Sequence, residues 1–377
     1  MRIDRKNEGM KMKTRKAFLP AILGLIPGLI FVATVPFTAS VAFAQAAIKD
    51  STPSPDADRA VTLDVVVTDK AGAPVAGLDP KAFTVLDNKK PLSPSLVREV
   101  NGSSTTADPP VEVILLFDNI NLRFETISTV RRNLADYLQK SGGHLQLPTS
   151  LFFLTDQGLK MQGKPTRDSN VLLANLESNP TLPRAVQQAG GYQSLADLRQ
   201  RSLTALDVLA VDLSKRPGRK LVVWITTGWA SFEAESSQKS PKEREELFTF
   251  IVGMSNLLHQ ANITLYSIDP VGANESLTSA RNFHYMDFIK GVDSPKHTDN
   301  ADLLLQVMAT QTGGKVLFGN NDVSKLIDQC IADVQPFYEV TFIAPVATQP
   351  NEYHALQVQV DKPGLKARSR TGYYAQP

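Results

Sequence analysis

The sequence predicts a doubly wound, mainly parallel α/β sheet inserted into a small β-sandwich built from both chain ends. Three observations carry that expectation. Short apolar runs at 113–117, 150–154, 221–226, 263–268 and 315–318 alternate with helical stripes through the middle of the chain, the pattern of buried parallel strands and their crossover helices. Alternating apolar and polar residues mark strands near the start of the chain and again at its end. The run Val111-Glu-Val-Ile-Leu-Leu-Phe-Asp118 stops at a carboxylate, passes through the polar turn Asn119-Ile-Asn-Leu-Arg-Phe-Glu125 and enters a helix. A strand end of that kind is where doubly wound sheets place a ligand.

The front of the chain reads as an address. Residues 1–16 carry seven basic side chains against Asp4 and Glu8, and the uncharged stretch from Ala17 ends Ala42-Phe43-Ala44 before Gln45. This is the order of a secretory signal peptide, assigned to 1–44. The stretch is also long enough to stay as a membrane anchor, since a spanning helix needs roughly 20 apolar residues. Pro20, Pro27 and Pro36 interrupt it and favour cleavage. The protein is therefore expected to be exported, to the periplasm, the cell envelope or the medium, with membrane contact only through an uncleaved leader. Without the leader, 33 basic and 36 acidic residues remain. That balance lacks the basic excess of a nucleic-acid binder. Cys330 is the only cysteine, so no internal disulfide forms, and its place in Leu326-Ile-Asp-Gln-Cys-Ile-Ala-Asp-Val334 is that of a buried helical thiol.

After a small, polar, Pro-rich linker at 45–60, Val61, Leu63, Val65 and Val67 define a first strand. A second spans 82–86 and a third 96–100, giving an N-terminal half-domain at 61–105. That half-domain is too small to bury a core alone. Its partner is placed at 336–377, where 337–343, 353–360 and 367–374 read as strands. The α/β part occupies 111–335. Ile127, Val130, Leu134, Tyr137 and Leu138 form the stripe of a helix at 126–140, and a leucine repeat marks another at 195–213. Ser240-Pro-Lys-Glu243 is a capping box opening a helix through His259. Gly313-Gly314 ends the helix that carries Val307 and Met308.

Several segments together resemble a known family. They are Val61-Thr-Leu-Asp-Val-Val-Val-Thr-Asp69, Ile114-Leu-Leu-Phe-Asp118, Arg216-Pro-Gly-Arg-Lys-Leu-Val-Val-Trp-Ile-Thr-Thr-Gly228, Tyr266-Ser-Ile-Asp269 and Pro363-Gly-Leu-Lys-Ala-Arg-Ser-Arg-Thr-Gly-Tyr-Tyr374. The middle resembles a von Willebrand factor type A (VWA) domain, and the whole layout is similar to VWFA-related proteins of the acidobacterial type. The resemblance implies a divalent cation at the carboxyl ends of the central strands, held by an Asp-x-Ser-x-Ser motif, a middle-loop threonine and a further aspartate. Asp118 matches the first aspartate. Ile120 and Leu122 stand at the serine positions, Thr227 stands at the second aspartate, and Thr204 is the candidate for the threonine. A hard cation takes about six oxygen ligands, so the motif is degenerate. No cofactor is expected, and Mg²⁺ or Mn²⁺ only as a weak ligand of Asp118, helped by the Asn119 and Asn121 amides. Asp118 equally suits a cap on the turn that follows it.

The chemistry of an enzyme is thin. His144, His259, His284, His297 and His354 form no zinc-ligand spacing, and the chain has no nucleophile elbow. Asp293, Asp299 and Asp302 lack the spacing of a calcium loop and read as a solvated loop capping a helix at Ala301. The reading that follows is an exported protein-interaction module, not an enzyme. Its binding loops are placed around Asp118, Asn119, Asn121, Thr227, Trp229 and Asp269, with Trp229 and Phe232 as aromatic contact area, unless Trp229 folds back onto its own domain, and 185–193 as a mobile rim. The partner would be a protein. The alternative is an enzyme or enzyme subunit acting on envelope polymers, with Asp118 paired to Asp156 or Asp269.

Overall fold

The computed structural model describes residues 59–101, 111–179, 192–229, 239–272 and 285–377. The leader at 1–44, the linker up to 58, residues 102–105, the loop at 185–191, Phe232 and His284 lie outside them. No helix among the described residues is long and apolar enough to cross a membrane.

The chain begins with β1 (Ala60–Thr68), the hairpin of β2 (Phe83–Asp87) and β3 (Lys90–Leu92), and β4 (Leu96–Val100). The α/β part runs through β5 (Val111–Asp118), α1 (Phe124–Lys140), β6 (His144–Thr155), β7 (Gly158–Lys160), β8 (Thr166–Asp168), α2 (Ser169–Ser178) and α3 (Tyr192–Leu213). It continues with β9 (Arg219–Ile225), α4 (Pro241–Gln260), β10 (Ile263–Gly272), α5 (Leu305–Gln311), β11 (Val316–Gly319) and α6 (Val323–Ile331). The chain ends with β12 (Phe337–Ile343), β13 (Glu352–Val360), β14 (Lys366–Arg368) and β15 (Gly372–Ala375).

The middle sheet has the order β11-β10-β9-β5-β6-β7, with β8 also paired to β6. The five strands from β11 to β6 are parallel, while β7 and β8 run antiparallel to β6. Continuous burial of β5 explains its unbroken apolar run. Val113, Leu115 and Phe117 face one core with α1, α2 and α6, while Ile114 and Leu116 face another with α3, α4 and α5. The capping box of α4 forms as expected, Ser240 Oγ accepting from the Glu243 N–H and the Glu243 carboxylate accepting from the Ser240 N–H. At the end of α5, Gly314 passes so close to β10 that a Cβ would lie 1.6 Å from the Leu265 carbonyl oxygen.

Two further sheets, β14-β1-β12-β4 and β15-β13-β2-β3, each combine strands from both ends of the chain. They share one apolar cluster, in which Leu63, Val65, Phe83 and Val85 meet Val340, Phe342, Leu356 and Val358. The β2–β3 hairpin turns on Asn88 and Lys89, both at positive φ; the local sequence reads as a turn without showing that Lys90–Leu92 returns as a strand. The expected single strand at 367–374 is in fact two. Arg368 pairs with β1, while Gly372 pairs with β13, so the chain must cross between sheets at 369–371.

The terminal strands are fixed to the α/β part by buried charge. Asp333 accepts hydrogen bonds from Tyr266 at 2.9 Å, from Lys315 at 2.7 Å and from Arg368 of β14. Arg219 reaches Asp64 of β1 at 3.3 Å and lies over the Phe337 ring. Cys330 is buried beside this hub, and burial pushes its thiol up.

Candidate functional site

In the strand order, β5 and β9 are neighbours from which the chain winds outward in opposite directions. Their carboxyl ends form the topological switch point at which this architecture opens a crevice. Phe117 pairs with Ile225, and the Thr226 N–H donates to the Ile268 carbonyl. Asp118 at the end of β5, Thr226 just past β9 and Asp269 within β10 therefore lie side by side.

Asp118 is fully buried, and both its carboxylate oxygens are engaged by the protein. Oδ1 accepts from the Ile120 and Asn121 backbone N–H groups, each at 3.0 Å. Oδ2 accepts from Asn121 Nδ2 at 2.8 Å and from the Trp224 indole N–H at 2.9 Å. Burial raises the carboxyl above its ordinary range, and the Trp224, Asn121 and Ile120 donors act against that rise. Asn121 also donates to Ser202 Oγ of α3 at 2.9 Å, and its carbonyl accepts from Thr227 Oγ1 at 2.9 Å. The turn after β5 is thus tied to β9 and α3 through one carboxylate and one asparagine.

These residues do not fit a divalent cation. Four N–H donors use the Asp118 lone pairs, so no carboxylate electron pair is left for a metal or for a substrate proton. Ile120 and Leu122 are 2% and 1% exposed and belong to the two cores. Asn119 Oδ1 and Thr226 Oγ1 are buried without a hydrogen bond, but two neutral oxygens are far from the charged, roughly six-oxygen shell a hard cation takes. Among the described residues, no three His, Cys, Asp or Glu side chains gather into a metal-binding group.

The structure brings Asp118, Asn121 and Thr227 into contact and corrects several expectations. Asn121 presents its amide nitrogen to Asp118, because the carboxylate needs donors; it offers no oxygen there. Thr204 is exposed on α3 and accepts from Gln200, so Ser202, one turn-face away, is the α3 hydroxyl that reaches the site. Trp229 is 1% exposed and packs edge-on against Trp224, with ring centroids 5.1 Å apart. Gly228 turns it inward: φ is +87°, and a Cβ there would lie 2.2 Å from Gln306 Nε2. Trp229 therefore supplies core, not contact area. Asp269 is buried and accepts from the Val271 N–H at 3.1 Å. Phe124, which the sequence reading passed over, is an exposed aromatic at this end of the sheet. It is 53% exposed at the first position of α1. It shares the helical spacing of Ile127 and Leu134 but stands at the helix start, before the stripe enters the core. Residues 192 and 193, expected in the rim loop, begin α3.

Comparison with known proteins finds structural likeness alone. No family model and no curated protein matches this sequence. The chain is similar to proximal thread matrix protein 1 from the mussel byssus in two structures. In one, crystal form 2, identity is 13% over 60% of this chain and 48% of that one, with a TM-score of 0.31. In the other, described with a zinc-occupied MIDAS motif, identity is 11% over 65% of this chain and 50% of that one, with a TM-score of 0.36. The chain thus spans about half the length of the mussel protein. It is also similar to the SpRpn10 VWA domain, at 13% identity over 46% of this chain and 84% of that one, with a TM-score of 0.25.

Proposed function

We propose that this chain is an exported protein-interaction module with a VWA-like domain, carried on a β-sandwich formed by the two terminal sheets, and that it binds a protein partner at the switch-point crevice without a metal. The observation that carries the reading is the saturated Asp118 carboxylate. The place where a cation-bridged domain of this type would present an open ligand instead holds a closed hydrogen-bond hub. What that hub fixes is the turn 119–123 and, directly after it, the exposed ring of Phe124. Aromatic side chains are frequent anchors of protein contacts, and a turn held to Asp118 by three hydrogen bonds presents one at low ordering cost. The leader at 1–44 supports export, and the near-neutral balance of the remaining chain supports a protein partner over nucleic acid.

The test compares the mature chain with Phe124→Glu as baits for envelope extract. Phe124→Glu should fold with unchanged stability, because the ring is exposed, and should lose the proteins that the unmodified chain retains. Equal retention by both baits would remove the crevice from the reading.

A further inference from the structure

A second site lies in the terminal strands, away from the crevice. Glu352 and His354 stand two residues apart on β13, so both side chains project from the same face of the strand. His354 faces Tyr373 across the pairing with β15, and Asp87 ends the neighbouring β2 opposite Leu356. His354 is 4% exposed and Asp87 2%.

Each member of the Glu352–His354 pair is oriented by hydrogen bonds that leave one of its atoms unused. The Asp87 carboxylate accepts from the Tyr373 hydroxyl at 2.8 Å and meets His354 Nδ1 at 2.7 Å. A carboxylate only accepts, so Nδ1 carries the ring proton and the lone pair of the neutral imidazole falls on Nε2. The Tyr373 ring stacks on the imidazole, with centroids 4.9 Å apart, and fixes its plane. Nε2 is buried and has no hydrogen-bond partner. Glu352 Oε2 accepts from the Thr348 N–H at 2.6 Å and from the Thr348 hydroxyl at 2.8 Å. Those donors hold the carboxyl below its ordinary range. Oε1 is left facing His354 Nε2 at 3.6 Å.

That separation decides what fits between the two atoms. At 3.6 Å they are too far apart for a direct hydrogen bond. A water about 2.8 Å from each would have to subtend roughly 80°, too acute for two good hydrogen bonds. A Zn²⁺ ion about 2.1 Å from each would subtend roughly 118°, close to the tetrahedral arrangement it prefers. The supports match as well. A histidine that binds a metal through one nitrogen commonly donates the other N–H to a carboxylate, and a ligating carboxylate is itself hydrogen-bonded. Asp87 and Thr348 fill those two roles. The Glu352 side chain is 25% exposed, which gives an ion a way in and leaves the remaining coordination positions to water.

We propose that His354 Nε2 and Glu352 Oε1 hold a Zn²⁺ ion on this face of β13, with Asp87, Tyr373 and Thr348 as positioning residues and water completing the shell. The proposal uses none of the crevice residues and stands or falls apart from the reading of Asp118.

Titration calorimetry of the untagged full chain with zinc chloride at pH 7, paired with thermal unfolding in Zn²⁺ against EDTA, provides the test. One Zn²⁺ should bind per chain and raise the melting temperature. Mg²⁺ and Mn²⁺, which suit all-oxygen shells, should do neither. Glu352→Gln removes the ligating charge at a partly exposed position and should weaken Zn²⁺ binding at least tenfold, and His354→Gln should abolish it. His297→Ala, which removes an exposed imidazole beside Asp293, should leave it unchanged. Lowering the pH to 5 should weaken binding, since protons compete for the imidazole. The proposal is overturned if the unmodified chain takes up no Zn²⁺, or if uptake survives Glu352→Gln undiminished. Loss of binding in His297→Ala would overturn it too, by placing the ion at the surface pair.

Discussion

Replacing Asp118 by alanine separates a structural hub from a metal ligand. The change strands the four N–H donors that the carboxylate satisfies. The two on Asn121, a half-buried residue, can turn to water. The Ile120 N–H and the Trp224 indole N–H lie in the buried part of the site, and each orphaned buried donor costs about 1–3 kcal/mol. The sum is about 4 kcal/mol, reduced somewhat because a buried negative charge disappears with the side chain. Asp118→Asn keeps one oxygen for one pair of donors and turns an NH₂ group against the other, so its cost should be roughly half. Urea unfolding followed by tryptophan fluorescence is the assay, with the midpoint falling and the slope unchanged if the native fold persists. A loss below about 1 kcal/mol in Asp118→Ala would refute the hub, because a carboxylate holding four donors cannot be removed so cheaply.

Three further outcomes follow from the same structure. Asp333→Ala should cost about 3–5 kcal/mol, because it leaves Lys315 and Arg368 facing each other without their shared carboxylate; a double-mutant cycle with Arg368→Met should show strong coupling between the two positions. Burial raises Asp302 to about 7, so its protonated form favours the fold. The stability it contributes is complete below about pH 4 and lost as pH rises through 7. Between those limits the unmodified chain should therefore lose up to about 4 kcal/mol relative to Asp302→Asn, measured by urea titrations across the range. Deleting 337–377 removes Val340, Phe342, Leu356 and Val358 from the cluster that covers Val65 and Val85, so the truncated chain should aggregate or lose its N-terminal strands to protease. A soluble product with those strands still protected would contradict a shared core.

Much of the fold was legible because the physics that forms it is local or periodic. The strand β5 has both faces buried, so its sequence is an unbroken apolar run. The start of α4 carries its cap, its proline and its glutamate within four residues. Elements defined by distant partners were not legible. The short strands β7 and β8 exist because they pair with β6, and α2 is a ten-residue helix with a weakly patterned sequence. The segment 367–374 alternates like one strand, yet its halves pair with different sheets, a choice only the assembled terminal strands impose. At the site, the sequence placed Asp118 at the end of β5, where the structure has it. It left open whether Trp229 faces the crevice or folds back and it passed over Phe124, since exposure there depends on the positive φ of Gly228 and on where α1 begins relative to the sheet. The asparagine at 121 has the right composition for a ligand, and only its orientation shows that nitrogen faces the carboxylate.

The central claim is that the crevice works with its carboxylate already occupied by the protein. Thermal unfolding of the mature chain with millimolar Mn²⁺ or Mg²⁺, against EDTA, tests it most directly. A cation at 100 times its dissociation constant would add about 2.7 kcal/mol of stability if it bound the folded state. The melting curves should instead superimpose, while the triple change Ile120→Ser, Leu122→Ser, Thr227→Asp should acquire a cation-dependent shift. A clear shift in the unmodified chain that Asp118→Ala abolishes would contradict the account, because it would mean that a metal displaces the Trp224 and Asn121 donors and that the crevice is a cation site after all.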